Sequence, residues 1–139
     1  MFSLQTETSF DAAHFLPDHP GLCRNLHGHR WRVVLEIAGA DLQTAGAARG
    51  MLCDFAEVKA ALKRITEKID HKLLYEAASL APETLAALQN EGFTLFELPF
   101  RPTAEELARW FYRAMSEAGF APARVWVYET PENCAAYWE

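Results

Sequence analysis

The sequence predicts an α+β protein in which helices cover one face of a four-stranded antiparallel sheet. Three observations carry this. Apolar side chains alternate through Phe10, Ala12 and His14 and again through Val33, Leu35 and Ile37, the period of half-buried strands. Val58, Leu62, Ile65 and Ile69 follow Phe55 at helical spacing. Two capping-box patterns, Asp54 with Glu57 and Thr103 with Glu106, mark where helices begin.

The 139 residues, half of them apolar, suit one domain over 1–139 with its own core. A net charge of −6 argues against an electrostatic grip on nucleic acid or an anionic membrane, which leaves a small molecule as the expected partner. The N-terminus MFSLQTETSF lacks a basic start and a long apolar run, and no stretch approaches the roughly 18 apolar residues of a membrane span. A cytoplasmic protein is expected. Three widely spaced cysteines do not suggest a disulfide framework.

In chain order, Leu4 to Phe15 reads as the first strand, and Pro17, Pro20 and Gly21 mark the loop after it. The second strand runs from His27 to Ile37, and the glycine- and alanine-rich residues 39–50 close it. The first helix opens at Asp54 and ends near Asp70-His71. Residues 75–102 hold a short helical pattern, Pro82 to Gln89, and a short extended one, Thr94 to Leu98. The second long helix opens at Pro102-Thr103 and buries Leu107, Trp110, Phe111, Ala114 and Met115 before Gly119. Arg124 to Glu129 and Cys134 to Trp138 read as the last two strands. Two sheet edges remain open, one of them aromatic, so subunits are expected to pair into a closed barrel or ring.

Residues 10–32 contain four of the five histidines. In an extended strand His27 and His29 leave the same face, and Gly28 keeps the opposite face open. His14, at the end of the preceding strand, supplies a third imidazole, and three imidazoles with an open fourth position are the ligand set of a catalytic zinc ion. Any one of these histidines alone would read as an ordinary hydrogen-bonded ring. Cys23 has two readings: a fourth ligand that closes the site, or a thiol beside a dication and Arg24, with its pKa depressed from about 8.5 toward neutrality, able to act as base or nucleophile. Cys53 and Cys134 read as small buried side chains, and His19 as a solvated loop histidine. Asp70-His71 is either a histidine favoured by a helix C-terminus or a proton-transfer pair brought together by a turn or across a subunit boundary. Glu129 is either an exposed strand-end carboxylate or a bidentate acceptor for a guanidine-like ring edge.

The segments FDAAHFLP, CRNLHGH, GMLCDFAEVK, DHKLL at 70–74, PTAEELA at 102–108 and VYET at 127–130 together resemble the 6-pyruvoyl-tetrahydropterin synthase family, most closely its 6-carboxytetrahydropterin synthase branch. The cysteine four residues before the histidine pair is similar to that branch. The resemblance implies a tunnelling fold of four antiparallel strands and two helices per subunit, assembled through barrels into a homohexamer, a dimer of trimers. It implies zinc on His14, His27 and His29, Cys23 as proton acceptor, Asp70 and His71 completing a triad from a neighbouring subunit, and Glu129 anchoring the pterin with Thr103 and Glu105 nearby. The implied substrate is 7,8-dihydroneopterin triphosphate, giving 6-carboxy-5,6,7,8-tetrahydropterin, acetaldehyde and triphosphate on the route to 7-deazaguanine nucleosides such as queuosine. Arg24, Arg30, Arg32 and Lys72 are candidates for the triphosphate. Within the family the alternatives are the pyruvoyl-forming synthase and a side-chain aldolase. Outside it stands a non-catalytic zinc or pterin-binding module closed by Cys23. The connection from Tyr75 to Pro102 is longer than in compact members of the carboxy branch.

Overall fold

The computed structural model describes every residue from Met1 to Glu139. Its elements are β1 (Phe2–His14), β2 (His27–Gly39), α1 (Phe55–Thr66), β3 (Lys72–Glu76), α2 (Pro82–Asn90), β4 (Leu95–Leu98), α3 (Ala104–Glu117), β5 (Pro122–Tyr128) and β6 (Cys134–Tyr137). They form one sheet in the order β4-β3-β1-β2-β5-β6. The α+β class expected from the sequence is present, but the four-stranded antiparallel sheet with two helices becomes a mixed six-stranded sheet with three. The difference lies in residues 72–98, where β3 and β4 pair in parallel through the crossover helix α2 and β3 runs parallel to the end of β1.

β1 and β2 form an unbroken antiparallel ladder from Phe2 opposite Gly39 to His14 opposite His27. Side chains alternate across it. Phe10, Ala12 and His14 on β1, and Trp31, Val33, Leu35 and Ile37 on β2, are buried. Val125 and Val127 extend this face onto β5. Glu7, Asp11, Arg30 and Arg32 lie on the other face, where two ion pairs join the strands, Arg30 to Asp11 at 2.7 Å and Arg32 to Glu7 at 2.9 Å.

Helices α1 and α3 cover the apolar face. α1 presents Val58, Ala61, Leu62 and Ile65 to the core, and α3 presents Leu107, Ala108, Phe111 and Met115. α1 ends at Thr66, earlier than the sequence suggests. A turn carries Ile69 on into the core, whereas Phe55 at the helix start is exposed. Both capping boxes are half made. Asp54 accepts from the Ala56 N–H and Thr103 from the Glu106 N–H, but the Glu106 carboxylate is taken by Arg109 one turn on. The chain leaves α3 through Gly119 at φ 90°, with the Phe120 N–H donating to the Met115 carbonyl, a closure that a side chain at residue 119 would strain.

α2 breaks the expectation that helices occupy one face. It buries no residue, and Leu88 on it, with Phe93 just beyond, borders a cavity floored by Asp11, Ala13, Gly28 and Arg30, on the face opposite α1 and α3. No helix is long and apolar enough to cross a membrane.

Candidate metal centre

The last rung of the β1–β2 ladder places His14 opposite His27, and His29 projects from the same face two residues along. His14 is fully buried. Its Nδ1–H donates to the Pro102 carbonyl at 2.8 Å, and the His27 Nδ1–H donates to the Asn25 carbonyl at 2.7 Å. With both Nδ1 protons committed, each neutral ring carries its lone pair on Nε2, and the two Nε2 atoms face each other 3.1 Å apart. A proton on His14 Nε2 would relieve this contact, but the buried ring resists protonation. Burial pushes its pKa down to about 4, the Pro102 carbonyl offsetting only part of the shift, and the charges of His27 and His29 push the same way.

His29 Nε2 is buried without a hydrogen bond: the Glu129 Oε1 lies 3.0 Å away, off the line of a ring N–H. Burial lowers the His29 pKa, and Glu129 opposes this without reversing it. The donor atoms of His14, His27, His29 and Glu129 all lie within 4.8 Å of one another. Two nitrogens bound tetrahedrally to zinc at about 2.0–2.1 Å stand roughly 3.3 Å apart. The facing lone pairs, the unpartnered nitrogen and the neutral-ring donor set therefore fit a divalent cation. Trp31 backs the cluster, its ring edge-on to His14 at 5.0 Å and to His29 at 5.4 Å and its N–H on the Ala12 carbonyl.

Cys23 sits in a single 3₁₀ turn, Leu22–Arg24, and its carbonyl accepts the Leu16 N–H at 2.8 Å. This bond folds the 15–26 loop back to the end of β1, as the turn residues suggest. The thiol is half-buried and free, and it is not among the four converging donors. Cys53 is also free, with burial and then the carboxylates of Glu57 and Asp54 pushing its thiol up. Cys134 is exposed, contrary to the buried position expected for it, because it opens the outermost strand. His19 is half-buried and accepts the Gly21 N–H, so it is not simply solvated.

Asp70 and His71 lie elsewhere. Neighbouring residues meet here because His71 adopts φ 57°, which brings its Nδ1 to 3.0 Å from Asp70 Oδ2. Asp11 clamps both through its backbone, its N–H donating to Asp70 Oδ1 at 2.9 Å and its carbonyl accepting the His71 N–H at 2.6 Å. Burial alone would raise the Asp70 carboxyl, but the Asp11 N–H and the His71 ring outweigh it and hold it below the usual carboxylate range. The Asp11 carboxylate, within 4.8 Å of the donor atoms of this pair, projects from the face opposite His14. The sheet thus separates the dyad from the histidine cluster of its own subunit. Thr103 caps α3 beside the Pro102 carbonyl that holds His14, whereas Glu105 is exposed on the first turn. The clamp residues Asp11, Asn25 and Pro102 act through backbone groups and left no signal in the sequence. Trp31 could have been found, since it continues the parity of His27 and His29.

Residues 3–139 match the model of the family described as 6-pyruvoyl tetrahydropterin synthase. The chain belongs to that family. It is 37% identical to a Haemophilus influenzae protein named 6-carboxy-5,6,7,8-tetrahydropterin synthase, over the whole of both chains. A Synechocystis protein of the same name is 34% identical over 99% of this chain and 93% of its own. Among solved structures, an uncharacterized protein from Wolinella succinogenes superimposes with a TM-score of 0.82 at 21% identity, covering 99% of this chain and 98% of the other. The Caenorhabditis elegans 6-pyruvoyl tetrahydropterin synthase gives 0.69 at 20% identity, covering 99% and 95%. These two likenesses establish the fold. The segments that carried the resemblance in the sequence thus lie in a chain that matches the family model almost end to end.

Proposed function

We propose that this chain, acting as one domain over 1–139, is a zinc-dependent 6-carboxy-5,6,7,8-tetrahydropterin synthase. Its substrate in this reading is 7,8-dihydroneopterin triphosphate, and its products are 6-carboxytetrahydropterin, acetaldehyde and triphosphate for 7-deazaguanine synthesis. The observation that carries the chemistry is the pair of Nε2 lone pairs facing each other at 3.1 Å with both Nδ1 protons anchored. The names of full-length relatives at 34–37% identity support the substrate.

His14, His27 and His29 would hold the zinc ion. When bound, the ion supplies Lewis-acid polarisation of the side-chain oxygens of the substrate. Cys23, on the loop that folds back to His14, takes a proton from the adjacent carbon, and His71, oriented by Asp70, returns one. Glu129 receives the guanidine-like edge of the pterin, with Thr103 and Glu105 at the start of α3 nearby.

Because the sheet stands between His71 and its own histidine cluster, the dyad serves the metal centre of a neighbouring copy. Two open edges support such an assembly: β1 is unpaired on its outer side from Phe2 to Asp11, and the outer edge of β6 has no partner. A homohexamer built as two stacked trimeric barrels is the proposed form, and the three free thiols suit a cytoplasmic location.

The position of Glu129 favours a second reading, in which its carboxylate is a fourth ligand and the zinc site is structural. Mass analysis of the products formed by zinc-loaded protein from 7,8-dihydroneopterin triphosphate decides between them. Carboxytetrahydropterin with acetaldehyde is the expected result. A pyruvoyl product would assign the sister activity, and no turnover with zinc bound would favour the structural site.

A further inference from the structure

The 3₁₀ turn Leu22–Arg24 that carries Cys23 buries none of its residues, and Leu22 is exposed. Packing therefore does not hold the thiol in place. A single 3₁₀ turn has poor hydrogen-bond geometry of its own, and here the Arg24 N–H reaches the Gly21 carbonyl only at 3.4 Å. The turn is fixed instead from its two flanks. On one side the Leu16 N–H donates to the Cys23 carbonyl at 2.8 Å. On the other, Asn25 brings two donors to a single acceptor, its backbone N–H at 3.0 Å and its side-chain Nδ2 at 3.1 Å from the Leu22 carbonyl oxygen.

A carbonyl oxygen has two lone pairs, and Asn25 occupies both on Leu22. Its backbone is extended, at φ −81° and ψ 152°, which ends the turn and leads toward β2. There the Asn25 carbonyl accepts the His27 Nδ1–H at 2.7 Å. One residue thus ties the thiol turn to the ring of a candidate metal ligand. Any residue at position 25 would supply the N–H and the carbonyl. Only the side-chain amide supplies the second donor, and leucine, of nearly the same shape, has none.

We propose that Asn25 is a positioning residue for the proton transfer: its side-chain amide holds the Cys23 turn at a fixed place relative to His27, so that the thiol meets the substrate carbon. This rests on the zinc–pterin reading above, in which Cys23 takes the proton. Asn25 reaches the metal centre only through its backbone carbonyl, and its amide is committed to Leu22, so it neither ligates the ion nor binds the substrate. Loosening the turn leaves both of those intact while the thiol loses its aim, and a misplacement of about 1 Å can cost roughly 100-fold in rate.

The test compares the zinc-loaded full chain with its Asn25→Ala and Asn25→Leu variants, with zinc content and the urea midpoint measured on each. Alkylation of Cys23 by iodoacetamide is followed by peptide mass analysis, with the exposed Cys134 as the reference thiol in the same molecule. The Cys23 rate relative to Cys134 should rise about three- to tenfold in both variants, the range set by one lost hydrogen bond. Turnover of 7,8-dihydroneopterin triphosphate should show kcat lowered roughly 10- to 100-fold with KM within about twofold of the parent and zinc retained. An unchanged Cys23 rate in both variants, or parent-like behaviour of Asn25→Leu, would overturn the role of the amide. Loss of zinc from either variant would also overturn it, by placing the effect at His27. If the parent converts no 7,8-dihydroneopterin triphosphate, the pterin reading fails, and the alkylation rates still decide whether Asn25 fixes the thiol.

Discussion

His14 is the residue on which the candidate metal centre turns, because it alone among the three histidines is wholly buried. Its pKa falls from the ordinary 6.5 to about 4 on folding. Between those values the unfolded chain holds a proton that the native chain does not, so stability rises with pH across that window and is lost as pH falls through it. Metal-free protein should lose up to about 3 kcal/mol between pH 6.5 and pH 4 from this group, measured as the urea midpoint, and His14→Gln should flatten that slope. An equally steep slope in the variant would remove His14 as the cause. Glu129 and Cys23 are separated by zinc content. Glu129→Gln should keep its zinc and raise the KM for the pterin about 10- to 100-fold if the carboxylate anchors the ring, whereas a fourth ligand would cost metal. Cys23→Ala should keep zinc while kcat falls about 10²- to 10⁴-fold, and loss of zinc together with fold would make it a ligand. The convergence of His14, His27 and His29 was legible because it follows from residue type and the two-residue period of a strand. The Asp11 clamp was not legible, since any residue supplies a backbone N–H and carbonyl.

At the scale of elements, legibility followed the length of the periodic pattern. β1, β2 and the two long helices repeat their pattern over 12 to 14 residues and were readable. β3 spans five residues in KLLYE and β4 four in LFEL, too short for a period of two to stand out from a buried turn of helix. Their parallel pairing is set by contacts remote in sequence, and a short apolar run does not encode it. The α2 segment shows the division clearly. Pro82 at its first turn made the helix visible, but the side of the sheet it occupies depends on the handedness of the β3-α2-β4 crossover. The exit from α3 is a local device with a local test. Gly119→Ala should destabilise the protein by about 1 kcal/mol in urea denaturation, because φ 90° suits glycine alone. An unchanged midpoint would show that the Phe120 to Met115 closure forms without it.

For the whole molecule, the sheet acts as a partition. His14, His27, His29 and Glu129 gather at one end of its helix-covered face, while Asp70 and His71 stand with Asp11 on the other. In the function proposed above the dyad serves the metal centre of a neighbouring copy, and under that proposal each active site is composite and a lone subunit carries two unlike halves. Complementation exposes this. His27→Ala and His71→Ala should each be inactive as pure assemblies, since each lacks one half at every site. Unfolded together in equal amounts and reassembled, they place an intact metal half beside an intact dyad at about one site in four, so activity should return to about a quarter of the parent level. Reassembly of either variant alone should restore nothing. If the mixture stays inactive while its assembly mass and half-complement of zinc are recovered, the dyad works within its own subunit, and the sheet must open at the His14 end to let it through.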